Sequence, residues 1–354
     1  MLIQDEKVRQ CQFCSALRNA GQIQRIALRS ICTLLLAVSI GCGGSSHVDN
    51  WPAYKPQWQA LAATDRDSYI KTGENYTSLL EDYSPTGNYF NSQTYYWGDV
   101  LFDLDGFPVD VDNQVPAKTH YYNPVTTGQY ALTQYALYLS GKQSSAEFLR
   151  IADHLLSLVG PDGGLHYPIA WNYHTTALQS GWVSGLAQGT ALSVFARAWA
   201  LTHDEKWIAA GTSVRRFMLI PTWLGGTRGN LYDLDPSLTD TTTFEEITCD
   251  PSCTILNGFL YALLGLYDWG TITGDQTAKI TFLAGEETAS SLLHYYDIGG
   301  FSAYDLRQVI QHQTPATPPA YHSRHIALCN ALYSITGDTV FRDWRDTWEN
   351  DVKP

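Results

Sequence analysis

Four short turns of related chemistry punctuate the chain, and they constrain it more than any other feature. They read YLSGKQSSAEFL from Tyr138, ALTHDEKWIA from Ala200, TITGDQTAKI from Thr271 and SITGDTVFRDW from Ser334. Each joins one apolar helical pattern to the next through a Ser/Thr-containing turn. In the last two a glycine can take the left-handed conformation while an aspartate caps the following helix. Measured from Ser140, Thr202, Thr273 and Thr336, the spacings are 62, 71 and 63 residues, an internal repeat of helical hairpins. VSGLAQGTALSVFARAWALT places Leu186, Ala187, Leu192, Val194, Phe195 and Trp199 mostly on one broad face, whereas TILNGFLYALLGLYDW is apolar nearly all round. A helix apolar on every side is buried between neighbours. Hairpins of this kind packed side by side, with buried inner helices, predict a mainly α fold, an (α/α) toroid, complete or partial.

Two Gly-Gly openings, DGGLHYPIAW from Asp162 and IGGFSAYDLR from Ile298, turn helix ends into short extended segments. In a toroid such segments gather at one rim, where residues of different hairpins converge on a cleft. Upstream, YYWGDVLFDLDGFPVDVDN reads as a β-hairpin turning at Asp105-Gly106, with Pro108 on an edge strand. Asp103, Asp105, Asp110 and Asp112 lack the terminal glutamate of a calcium loop and read as solvated turn acids.

At the N-terminus, Arg25 and Arg29 precede the apolar run Ile31 to Ile40, too short to span a bilayer, so the segment reads as a signal peptide. Gly41-Cys42 followed by GGSS resembles a bacterial lipobox, in which Cys42 becomes the lipid-modified first residue. The expected organisation is a leader over 1–42, a linker and N-terminal helical segment over 43–89, the β-hairpin over 90–122 and the toroid over 123–354. The mature protein is then exported and anchored to a bacterial membrane. In an oxidising compartment Cys249 and Cys253 can close a small disulfide loop, and separately buried thiols are the alternative. The net charge of -13 without a basic stripe argues against nucleic acid and against a heavily sulfated polyanion.

Four clusters stand apart from the helical background: TFEEIT with Glu245 and Glu246, AYDLRQ with Tyr304, Asp305 and Arg307, PPAYHSRH with Tyr321, His322, Arg324 and His325, and THYYNPVTTGQY with Tyr121, Tyr122, Gln129 and Tyr130. Each has a plain structural reading. Adjacent glutamates are usually a solvated turn, and the tyrosines can be rim aromatics. The chain carries no Gly-rich phosphate loop, no Gly-x-Ser-x-Gly elbow and no His-Glu-x-x-His.

Taken together, QSGWVSGLAQGTALSVFARAWALTHD, TFEEITCDPSCTILNGFLYALLGLYDW, FSAYDLRQ and AYHSRHIALCNALYSITGD resemble, in this order, the C-terminal domain of the D-glucuronyl C5-epimerase family. The upstream YNPVTTGQYALTQYALYL resembles the same family where its β-hairpin passes into the toroid. The resemblance implies an α/α toroid with an N-terminal β-hairpin, often dimeric, with no organic cofactor and a uronate-containing polysaccharide as substrate. By position it places the catalytic glutamate at Glu246 and the tyrosine of a Tyr-Asp-Leu-Arg motif at Tyr304. The arginine closing that motif falls on Arg307, and the tyrosine preceding a His-x-x-His falls on Tyr321. Where the family has Tyr after the glutamate this chain has Ile247, and where it has Asp before the second tyrosine this chain has Ala320.

Epimerising C5 of a uronate means removing a very weakly acidic proton beside a carboxylate and returning one to the other face. Arg307 is expected to hold the substrate carboxylate and stabilise the charge that develops on it. Glu246 and Tyr321 are expected as the acid/base pair on opposite sides of the ring, with Tyr304 orienting the substrate or relaying protons. Tyr121, Gln129, Asn257, His322, Arg324 and His325 complete the expected surroundings of the substrate, the two histidines as supports rather than bases. The same proton abstraction followed by loss of the C4 oxygen gives a polysaccharide lyase. A hydrolase would pair Glu246 with an aspartate such as Asp305, and a sugar-binding lipoprotein would have lost catalysis altogether.

Overall fold

The recurring turns are the joints of helical pairs in the computed structural model, which describes residues 80–90, 98–114 and 118–352. The expected leader with Cys42, and the 43–89 segment up to residue 79, lie outside the described residues. The protein is mainly α. The first pair is α1 (Pro124–Leu139) with α2 (Ser145–Ser157), the second α3 (Gly185–Thr202) with α4 (Glu205–Met218). The third is α5 (Leu256–Thr273) with α6 (Gln276–Tyr296); after a single short turn, α7 (Arg307–Ile310), the fourth is α8 (Pro319–Thr336) with α9 (Thr339–Val352).

Three of the joints are built alike. Thr202, Thr273 and Thr336 donate their hydroxyls to the carbonyls of Ala198, Trp269 and Leu332 and accept the N–H of Asp204, Asp275 and Asp338. Each aspartate then accepts a backbone N–H at the start of the next helix. The residue between is left-handed, Gly274 and Gly337 as the sequence suggests, and His203 in the remaining joint.

The first helix of each pair is the buried one. They pack in chain order, α1 on α3, α3 on α5 and α5 on α8, while the second helices lie outside them. The tightest of these contacts is α3 on α5. A Cβ at Gly189 would stand 2.6 Å from Ala262 Cα, and one at Gly265 would overlap the Gly189 carbonyl, so the backbones approach closely. Between the same helices Arg197 Nη1 meets Asp268 Oδ2 at 2.6 Å, wholly buried, and Tyr83 donates its hydroxyl to the same oxygen at 2.8 Å. Residues 83–90 seat on the inner helices through that bond and through the rings of Tyr89 and Phe90 against Tyr261.

The N-terminal strands form a three-stranded antiparallel sheet rather than a lone hairpin. β1 (Leu101–Phe102) pairs with β2 (Pro108–Val111) across the expected turn at Asp105-Gly106, and β3 (His120–Tyr121) pairs with β2 on its other side. Pro108 is therefore on the central strand, not an edge. It is tolerated because it is the first residue of β2 and pairs with Phe102, while β3 covers only Asp110 and Val111. Asp103 accepts the N–H groups of Asp105 and Phe107 and the hydroxyl of Tyr122, and Asp110 accepts the side chains of Asn123 and Thr126. They are turn and cap acceptors, and no metal-binding cluster of three or more His, Cys, Asp or Glu exists among the described residues. Among those residues, too, no helix is long and apolar enough to cross a membrane.

Candidate active site

All four inner helices begin at one cavity of about 400 Å³. Its wall takes Asn123 and Gln129 from the start of α1, Ser184 and Leu186 from α3, Asn257 and Tyr261 from α5, and Tyr321 and Arg324 from α8. Four N-terminal helix ends therefore converge on the space, and each brings the positive end of its dipole. Glu246 is the sole carboxylate and Arg324 the sole guanidinium among the described residues that line it.

The adjacent glutamates part company because the chain around them is extended. β7 (Thr243–Phe244) pairs with β6 (Arg228–Gly229), and successive side chains beyond it face opposite ways. Glu245 turns inward and is buried. It accepts the hydroxyls of Ser252 at 2.9 Å and Thr243 at 3.2 Å and the N–H of Thr254 at 3.0 Å, so it anchors the loop that the Cys249–Cys253 disulfide closes. Burial raises its carboxyl above the ordinary range against those donors. Glu246 turns to the cavity. It accepts Tyr304 Oη on Oε1 and Asn257 Nδ2 on Oε2, each at 3.2 Å.

Enclosure by protein pushes the Glu246 carboxyl up to about 7, opposed by those two donors and by the charge of Arg324. The Asn-Gly pair at the head of α5 now has a reason. Asn257 holds Glu246, and Gly258 makes room for it, since a Cβ there would overlap the glutamate's own Cβ and carboxyl oxygen.

Tyr304 and Tyr321 meet edge to face with ring centres 4.6 Å apart. Burial and the neighbouring Glu246 hold the Tyr304 phenol far above its usual titration, so it stays a donor. On α8, Tyr321 and Arg324 share the face turned to the cavity, whereas His322 and His325 lie on a buried face. Both histidines meet the Ser302 hydroxyl at 2.7 Å, and His322 also accepts the Ser302 N–H and stacks on Phe301. Burial depresses His322 to about 3, and both rings are neutral packing groups behind the wall. Tyr121 lines the cavity from β3, its phenol pushed up to about 12 by burial and by Asp110 and Asp112. Tyr122 and Tyr130 do not line it.

Arg307 is placed differently from expectation. It is buried away from the cavity, with Nε on Asp305 Oδ2 at 2.6 Å and Nη1 on Gln313 Oε1 at 3.2 Å. The i, i+2 pairing with Asp305 neutralises the guanidinium before any ligand arrives. Asp305 Oδ2 also accepts Tyr173 Oη at 2.8 Å, and the guanidinium lies 5.2 Å from the Tyr173 ring centre. Tyr173 belongs to β4 (Trp171–Tyr173), which pairs with β5 (Thr176–Leu178) and is tied on its other side by Asn172 N–H to Gln114 Oε1 at 3.0 Å. The Tyr-Asp-Leu-Arg segment thus fixes an aromatic wall of the cavity from behind. Asp305→Ala should destabilise the protein by about 3 kcal/mol in denaturant titrations, because it leaves a buried guanidinium unpaired; an unchanged midpoint would contradict this placement.

The D-glucuronyl C5-epimerase C-terminus family model matches residues 162–350, more than half of the chain. The chain belongs to that family. It is 31% identical over 222 residues to a D-glucuronyl C5-epimerase of Caenorhabditis elegans, covering 58% of this chain and 35% of that protein. It is 26% identical over 184 residues to an uncharacterized protein of Methanocaldococcus jannaschii, covering 51% of this chain and 57% of the archaeal one. The chain therefore spans about a third of the nematode protein's length and just over half of the archaeal protein's.

The segment shared with the C5-epimerase family carries Glu246, Asn257, Tyr304, Tyr321 and Arg324, while Tyr121, Asn123 and Gln129 precede it. Sequence reasoning passed over Tyr167, Trp171, Tyr173, Trp182 and Tyr261 as individual site residues. Tyr167 and Trp182 stack with ring centres 3.8 Å apart and planes 9° from parallel. The first Gly-Gly segment marked the region, but the stack depends on Tyr167 pairing with residues near Gly181, a contact no local pattern announces. Ile247, a departure from the family pattern, packs with Leu178, Cys253 and Ile255 at the cavity's edge.

Proposed function

We propose that the cavity inverts C5 of D-glucuronate residues in a heparosan-like polysaccharide, giving L-iduronate. The observation that carries this reading is Glu246, a solitary carboxylate raised to about 7, facing a cavity with two tyrosines and four helix N-termini. A base of that strength is half ionised near neutrality and can take a proton from carbon. In the proposed step the Glu246 carboxylate removes the C5 proton, and the electron pair of the C–H bond moves into the substrate carboxylate. The Tyr321 hydroxyl then returns a proton to the opposite face, and the cycle closes when Glu246 releases its proton to solvent and the phenolate takes one up. Tyr304 holds Glu246 in place. The stacked Tyr167 and Trp182, with Trp171, offer apolar faces to sugar rings. Trp182 and Asn257 also line the cavity.

A hydrolase would need a second carboxylate across the scissile bond. Asp305, the candidate for it, is committed to Arg307 and Tyr173. For the leader we propose export and lipid attachment at Cys42, which would hold the enzyme beside an extracellular polymer. Incubation with heparosan in deuterated water, followed by NMR, tests the reaction: deuterium at C5 together with iduronate is expected. A 4,5-unsaturated product would mean elimination instead, and binding without exchange would mean a carbohydrate-binding role.

A further inference from the structure

We propose that Arg324 is the specificity-determining cation of the site, taking the substrate carboxylate so that neutral hexose residues are rejected, while Arg307 only positions the wall. This rests on the reading of the cavity as a uronate site. The carboxylate of a uronate is bonded directly to C5, so the group that binds it must stand within hydrogen-bond reach of that carboxylate, close to the reacting carbon. Arg324 does so through its neighbour: it lies three residues after Tyr321 on the same face of α8, with its guanidinium carbon 5.9 Å from the Tyr321 ring centre. Its charge acts on Glu246. Among the described lining residues these two hold the formal charges, one of each sign, beneath four helix N-termini. A fixed planar cation at that point would also stabilise the second negative charge that builds on the carboxylate as the proton leaves. Arg307, occupied by Asp305 and Gln313, offers neither service.

Calorimetric titration with a heparosan oligosaccharide, and with the same oligosaccharide reduced at its carboxyls to glucose, measures the preference. Wild type should favour the carboxylated form by about 30-fold or more, and Arg324→Gln should bind both forms alike. Arg324→Lys, which keeps the charge but loses the fork, should fall between. A second readout comes from carbon NMR of the Glu246 carboxyl, assigned by its loss in Glu246→Gln. Glu246 is faced by Tyr304 and Asn257 through hydrogen bonds, by Tyr167 and Tyr173 and by the charge of Arg324, with Tyr321 packed on Tyr304. With the cation gone, the free Arg324→Gln protein should titrate Glu246 at higher pH than wild type. A wild-type preference that survives in a folded Arg324→Gln variant removes this assignment alone. A wild type that binds neither form, or both equally, removes the uronate reading with it.

Discussion

Glu246→Gln is expected to lower C5 hydrogen exchange from glucuronate residues by at least about a thousandfold and, at the same time, to stabilise the protein in alkali. The first effect follows from removing the one carboxylate on the cavity wall while keeping its shape and its contacts with Tyr304 and Asn257. The second follows from the sign of the shift. The Glu246 carboxyl is raised to about 7 in the folded protein, whereas an unfolded glutamate titrates near ~4.3. Below the unfolded value both states are protonated, and the glutamine changes nothing. Between the two values folding becomes progressively less favourable as pH rises, and above about 7 the whole penalty is present. Glutamine carries no such penalty. The variant should gain about 3–4 kcal/mol at pH 8 and nothing at pH 4, read from denaturant midpoints. For wild type, exchange should rise with pH through the region near 7 as the base form accumulates. A Glu246→Gln protein of unaltered stability at pH 8 would mean that the side chain is not held as described.

Gly258→Ala should have the second largest effect, in a direction opposite to helix propensity. Alanine inside a helix is ordinarily worth about 1 kcal/mol over glycine. Here the added methyl would overlap the Cβ and carboxyl of Glu246, so the glutamate must leave its seat or the loop before α5 must shift. Exchange should fall by about a hundredfold, since a misplacement of about 1 Å is enough for that, and stability should fall by about 1–3 kcal/mol through overpacking. In a Glu246→Gln background the same substitution should remove little further activity, because both changes act on one group. Wild-type exchange in Gly258→Ala would show that Glu246 does not need its observed position.

The parts of the fold that could be read in the chain are those decided within a few residues. The Thr-x-Asp joints are legible because hydroxyl, left-handed residue and capping aspartate act on the same turn, and His203 is missed only because glycine is the usual occupant. The spacing of Cys249 and Cys253 allows either a bridge or separate thiols, and the structure joins them. Helix burial is legible from apolar residues on every side of α5. The site was harder, since charge pairing decides it and pairing is tertiary. The chain points to Arg307 for the substrate carboxylate, and Asp305 two residues away claims it for the interior. His322 and His325 are expected beside the substrate as supports, yet α8 turns them onto Ser302 and away from the cavity that Tyr321 and Arg324 face. The third strand escaped because His120–Tyr121 joins β2 from beyond an intervening loop.

The claim beneath all of this is that Glu246 and Tyr321 serve opposite faces of one sugar carbon. Washout of a C5 deuterium label, measured separately from glucuronate-containing and iduronate-containing oligosaccharides with Tyr321→Phe, tests it most directly. Glu246 alone then remains to abstract a proton, so one epimer should lose its label to solvent while the other keeps it, and neither should convert. Glu246→Gln should reverse which epimer exchanges. Loss of label from both epimers in Tyr321→Phe, or continued conversion between them, would contradict the two-sided arrangement.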